Sequence, residues 1–148
     1  MIHIEVQVDS KIKPLPPKKQ LKMWAALALN EVKQESEVTL RIVDKPEIQS
    51  LNLQFRGKDK PTNVLSFPYD IIPEISPTLL GDIVLCAPVI LEEATQQKKT
   101  NEAHWAHMVI HGCLHLLGYD HVTPELAGIM EPLEITLLQQ AGFPNPYL

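Results

Sequence analysis

The sequence predicts a single α+β domain over residues 1–148, a mixed sheet of about four strands with helices packed on it. Three observations predict it. Short segments of alternating apolar and polar residues cluster early, whereas the longest helical patterns come late. A chain of 148 residues, 45% hydrophobic and 21% charged, is long and apolar enough for one core; folding should bury roughly 68–70% of the unfolded surface. No window reaches the roughly 20 consecutive apolar residues needed to cross a bilayer.

Ile2 to Val8 alternates Ile and Val with polar residues, the pattern of a half-buried strand. Lys11 to Pro17 is a Lys- and Pro-rich connector. Pro17 opens a helix to about Val32, with Leu21, Trp24, Ala25, Ala28 and Val32 on one face. Val38 to Val43 reads as a second strand. Asp44 is placed to cap a short helix from Pro46 through Leu53. Arg56 to Pro61 reads as a charged loop before an apolar strand, Val64 to Phe67. Pro68 to Pro77, with three prolines, reads as a loop, and Leu80 to Cys86 as a further strand. Pro88 starts a helix ending near Gln97. Asn101 is expected to cap a histidine-rich helix that Gly118 ends. Thr123-Pro124 opens the last helical region, which Pro132 is expected to break or restart before Gly142. The pattern leaves strand order open.

Charge and cysteine content narrow the functional classes. The net charge is -5, which does not advertise a nucleic-acid binder. All thirteen Lys and Arg lie between Lys11 and Lys99, balanced by acidic residues over the same two-thirds of the chain. From Thr100 onward only Glu102, Asp120, Glu125, Glu131 and Glu134 carry fixed charge. The last third is thus acidic and histidine-rich, suited to a metal cation, and any polyanion must meet the first two-thirds. Cys86 and Cys113 make no disulfide framework, and Met1-Ile2-His3-Ile4-Glu5 lacks the basic start of a signal peptide. A cytoplasmic protein is expected.

The chemistry concentrates between His104 and His121. On a helix advancing about 100° per residue, His104, His111 and His115 share one edge, with His107 close by. His111 and His115, four residues apart, can reach one ion, and a reversal at Gly118 brings His121 round as a third ligand. Three protein ligands leave a coordination position open for water or substrate, as catalytic zinc sites do. His104 and His107 read as structural or supporting residues, Cys113 as a buried small hydrophobe, and Asp120 as either an orienting partner for an imidazole or a plain turn carboxylate. The spacing fits H-x-x-x-H-x-x-G-x-x-H of metzincin proteases, but the general base that follows their first histidine is here Gly112. A glycine cannot take a proton, which weakens a peptidase reading.

The segment His111-Gly112 through His115-Leu116-Leu117-Gly118-Tyr119-Asp120-His121 resembles the signature of the bacterial YbeY endoribonucleases. Asn52 to Arg56, Pro61 to Pro68 and Gly81 to Val84 agree with that family, in its order, over nearly the whole chain. The resemblance implies a single-strand-specific, metal-dependent endoribonuclease that matures the 3' end of 16S rRNA and acts in ribosome quality control. It also implies a cytoplasmic protein associated with the small ribosomal subunit, with Zn2+ held by His111, His115 and His121, and with Arg56 as the functional arginine. No DNA or membrane partner is expected. One departure is visible: the family usually carries Asp where this chain has Asn63. The chemistry is coherent, since a metal can polarise a phosphoryl oxygen and lower the pKa of a bound water toward ~7, and a guanidinium can clamp a phosphate. Lys58 and Lys60 could add attraction for the RNA backbone, though each alone also reads as part of a solvated loop. Whether water or the RNA 2'-hydroxyl attacks stays open at this level. Two alternatives stand beside the nuclease: a ribosome assembly factor with a structural zinc site, and a metallopeptidase.

Overall fold

Four strands form one mixed sheet in the computed structural model, which describes residues 2–32, 34–69 and 79–148. They are β1 (Ile2–Val8), β2 (Ser36–Val43), β3 (Val64–Pro68) and β4 (Leu79–Cys86), in the order β1-β2-β4-β3. β1, β2 and β4 run parallel, and β3 pairs antiparallel with β4 at the edge, with Ser66 opposite Ile83. The helices are α1 (Lys18–Ala28), α2 (Lys45–Arg56), α3 (Ala87–Gln96), α4 (Asn101–Leu116) and α5 (Pro124–Gln140). The expected α+β class with a mixed sheet is what the chain adopts.

Both faces of β4 are buried, which explains its nearly continuous apolar run. Ile83 and Leu85 join the larger core with Leu40 and Ile42 of β2, Leu21 and Trp24 of α1, and Val109, Ile110 and Leu114 of α4. Val84 and Cys86 turn to the other face, where Val43, Leu65 and Ile48 of α2 form a smaller core. Burying a Leu or Ile side chain stabilises the fold by roughly 1.5–3 kcal/mol, so these two clusters decide where the helices lie. α4 packs against α1, α3, α5, β3 and β4. Its middle is apolar on nearly every side, as a central helix must be.

Several element ends differ from the sequence expectation, each for a local reason. α1 stops at Ala28 rather than Val32, because the chain turns there to seat Leu29 in the core. α2 runs three residues past Leu53 to Arg56 and ends on Gly57 at φ 69°, so Arg56 belongs to a helix end and not to a loop. Asp44 precedes α2 but caps none of its N–H groups, and its carboxylate accepts from Ser10 Oγ and the Lys11 amide instead. Thr100, not Asn101, caps α4, its Oγ1 accepting from the Ala103 amide at 3.1 Å. Pro132 lies inside a continuous α5. An interior proline ordinarily costs ~3 kcal/mol or more; here buried Met130 before it and Leu137 and Leu138 after it hold both halves to the core. Of the loop expected over Pro68 to Pro77, residues 70–77 lie outside the described residues.

α4 packs closely on the sheet at Gly112. A Cβ there would stand 2.8 Å from Ile83 Cγ2 and 3.0 Å from Val64 Cγ2. The Ser66 hydroxyl donates to the Gly112 carbonyl at 2.7 Å across the same contact. Residue 112 therefore points at packed sheet, and its lack of a side chain is a packing requirement. Gly112→Glu, which would restore the protease-type base in sequence, is expected to lower stability by on the order of 3 kcal/mol or more through overpacking and carboxylate burial. A urea titration should show the midpoint falling, and peptide cleavage should not appear.

Candidate metal centre

The second half of α4 exposes little except His111 and His115, one turn apart on the same edge and half-buried. After Leu116 the helix closes with Gly118 donating to the His115 carbonyl and Tyr119 to the Leu114 carbonyl. Gly118 has φ 103°, a conformation a side chain resists, and this reversal returns the chain toward the helix. The Asp120 carboxylate accepts from the His121 amide at 2.7 Å, so it tightens the turn instead of bonding an imidazole. His121 then faces the other two rings. Centroid separations are 4.6 Å for His111 and His115, 5.2 Å for His111 and His121, and 5.0 Å for His115 and His121. One ligand nitrogen from each ring lies within 4.8 Å of the others, so the three could hold one metal ion.

Behind this trio stands a group to which the sequence reading gave no role. Glu134 of α5 is fully buried, and its Oε2 accepts from His107 Nε2 at 2.6 Å and His111 Nδ1 at 3.1 Å. Its Oε1 accepts from the Tyr147 hydroxyl at 2.9 Å. Burial alone would push this carboxyl up. The hydrogen bonds from His107 and His111, with their charge, outweigh that and hold it down at about 2. The same surroundings push Tyr147 up, through burial first and then the neighbouring carboxylate. In the neutral form of His111, donation from Nδ1 to Glu134 leaves the lone pair on Nε2, and that atom faces His115 Nε2 at 3.1 Å. Two such nitrogens at that distance suit a shared proton or a cation, so the donor set fits a divalent metal.

His104 is buried and bonds Glu93 at 2.9 Å. Asn63 donates to both Glu93 oxygens, at 3.1 and 3.2 Å, and accepts from the Val64 amide. An aspartate there would place a second carboxylate against Glu93, so the amide suits this neighbourhood. Cys113 is fully buried and its thiol is pushed far up by desolvation, consistent with a core residue.

The trio opens onto a cleft of about 600 Å³. Arg56 lines the same cleft from the end of α2, with Thr62, Asn63 and Ser66 on one wall and Tyr147 on another. Among the described lining residues Asp120 is the one carboxylate. Buried Asn52 holds the Lys60 carbonyl at 2.9 Å, which braces the loop after Arg56. Lys58 and Lys60 are exposed on that loop and do not line the cleft.

Acid should weaken this region in a defined order. Burial pushes His104 below its ordinary value against the opposing pull of Glu93. Burial, reinforced by His111 and His121, does the same to His115. The folded chain then binds fewer protons at these sites than the unfolded chain, so stability falls as pH drops below ~6.5. The Glu134 contribution is lost only later, between the ordinary glutamate value of ~4.3 and about 2. Metal-free protein should melt at a lower temperature at pH 5.5 than at pH 7.5 when followed by circular dichroism.

Residues 4–142 match the family described as Endoribonuclease YbeY. The chain is also similar to TM1509 from Thermotoga maritima, known from its solution structure, at 29% identity and a TM-score of 0.57. That alignment covers 96% of this chain and 92% of the other. With the match running from β1 through the histidine helix to the end of α5, the chain belongs to the YbeY endoribonuclease family.

Proposed function

We propose that this chain is a metal-dependent endoribonuclease that cuts single-stranded RNA, with Zn2+ held by His111, His115 and His121 and with Arg56 acting on the scissile phosphate. The observation that carries this reading is the meeting of Arg56 with the three histidines in one open cleft, although 55 residues separate Arg56 from His111 in sequence. Family membership supports RNA cleavage. Maturation of the 16S rRNA 3' end, ribosome quality control, a cytoplasmic location and association with the small subunit rest on the family resemblance. No helix among the described residues is long and apolar enough to cross a membrane.

A divalent ion bound by the three imidazoles would supply Lewis-acid polarisation of a phosphoryl oxygen and a water of lowered pKa. The protein's own groups do the rest. Arg56 clamps two phosphate oxygens through its planar guanidinium and stabilises the charge that develops on them. Lys58 and Lys60 attract the flanking backbone. Thr62 on the cleft wall offers a hydrogen bond to ribose or phosphate. A cleft open to solvent admits a flexible single strand more readily than a rigid duplex.

Protein freed of contaminating nucleases is expected to cut a single-stranded RNA oligonucleotide, to spare the matching duplex, and to stop when a chelator removes the metal. Arg56→Ala should reduce kcat by about 10²–10³, the loss typical of one charge-stabilising donor. His115→Ala should lose both stoichiometric zinc and cleavage. Undiminished cleavage by both variants would overturn the catalytic assignment. One bound zinc with no RNA cleavage would favour the assembly-factor reading.

A further inference from the structure

We propose that Glu134 and Tyr147 are positioning residues of the metal centre: the carboxylate fixes which nitrogen of His111 faces the metal, and the C-terminal tail holds that carboxylate through the Tyr147 hydroxyl. The inference rests on the metal site proposed above. Its basis is a chain of four contacts. Glu134 spends Oε2 on His107 Nε2 and His111 Nδ1 and Oε1 on Tyr147 Oη. Donation from Nδ1 commits neutral His111 to the tautomer whose Nε2 lone pair points toward His115 and His121. A carboxylate on the outer nitrogen also makes the inner one a better donor to a cation.

A buried carboxylate is costly unless its charge is answered, and Glu134 has no Lys or Arg partner among the described residues. The chain carries neither residue type after Lys99. Hydrogen bonds from His107, His111 and Tyr147 satisfy its oxygens instead. Glu134 thus places a hydrogen-bond acceptor on the outer nitrogen of His111, which a well-packed apolar residue would not supply.

Tyr147 reaches Glu134 from beyond the end of α5. The tail is tied down by Lys99 Nζ donating to the Pro146 carbonyl at 3.0 Å and by the Tyr147 amide donating to Asn145 Oδ1 at 2.8 Å. The tyrosine ring stands edge-on to His107 at 5.6 Å, so its position is held by packing as well as by its hydroxyl. It also lines the cleft, which makes the last residues of the chain part of the site wall.

The test measures metal affinity, not turnover. Zn2+ is titrated into the full chain in competition with a chromophoric chelator, and the metal-free melting temperature is recorded alongside. Glu134→Gln is expected to bind Zn2+ about 10- to 100-fold more weakly than the parent chain. Tyr147→Phe, which keeps the ring and removes only the hydroxyl, should lose a smaller factor with little change in metal-free melting. Because Tyr147 acts through Glu134, the double variant should bind no more weakly than Glu134→Gln alone. With Co2+ as probe, the visible absorption band of Glu134→Gln should shift. Affinities within twofold of the parent in both single variants would overturn the inference, as would additive losses in the double variant or lower melting with unchanged affinity. If Glu134→Gln fails to fold, the Tyr147→Phe affinity decides alone. A parent chain that binds no stoichiometric Zn2+ would overturn the metal site itself, and this inference with it.

Discussion

α4 lies closer to β3 and β4 than a side chain at residue 112 would permit, and the geometry of the cleft follows from that approach. The Ser66 hydroxyl bonds the Gly112 carbonyl across the contact, pinning the helix to the edge strand as well as to the core. With one face of α4 pressed against the sheet, the edge carrying His111 and His115 is left toward solvent, beside the start of β3. α2, packed on the opposite face of the sheet around Ile48, ends on the same side of the molecule and delivers Arg56 to the cleft. The glycine that stands in place of a general base is thus explained by packing. The histidine spacing is metzincin-like, but the position after His111 is packed against Ile83 and Val64 and has no room for a carboxylate.

Electrostatics then divides the molecule. The cations of the first two-thirds include Arg56, Lys58 and Lys60 around the end of α2, while the last third contributes histidines and carboxylates only. Arg56 thus brings a cation into the cleft that the three histidines share. A net charge of -5 is therefore a poor guide to substrate, because the sum hides a local separation of sign. Behind the histidine trio, Glu134 gathers His107 and His111 of α4 and Tyr147 of the tail around one buried carboxylate. Glu93 does the same for His104 and Asn63. The two carboxylates give the other histidines of α4, His104 and His107, their hydrogen-bond partners.

The amino-acid sequence by itself determined the α+β class, the strand segments and the meeting of the three histidines. These depend on short periods: alternation along a strand, four-residue steps along a helix, and a glycine where the chain must reverse. His111, His115 and His121 were legible because eleven residues and one turn contain the whole geometry. Glu134 left a trace too, since it falls on the buried stripe of α5 with Met130, Leu137 and Leu138, where a carboxylate is out of place unless it has partners. Tyr147 left none, because nothing local marks a tail residue as touching a helix thirteen positions back. Strand order, the shared cleft of Arg56 and the histidines, the packing role of Gly112 and the continuity of α5 through Pro132 were decided only by tertiary structure. Each depends on contacts between segments far apart in the chain, where burial outweighs local preference.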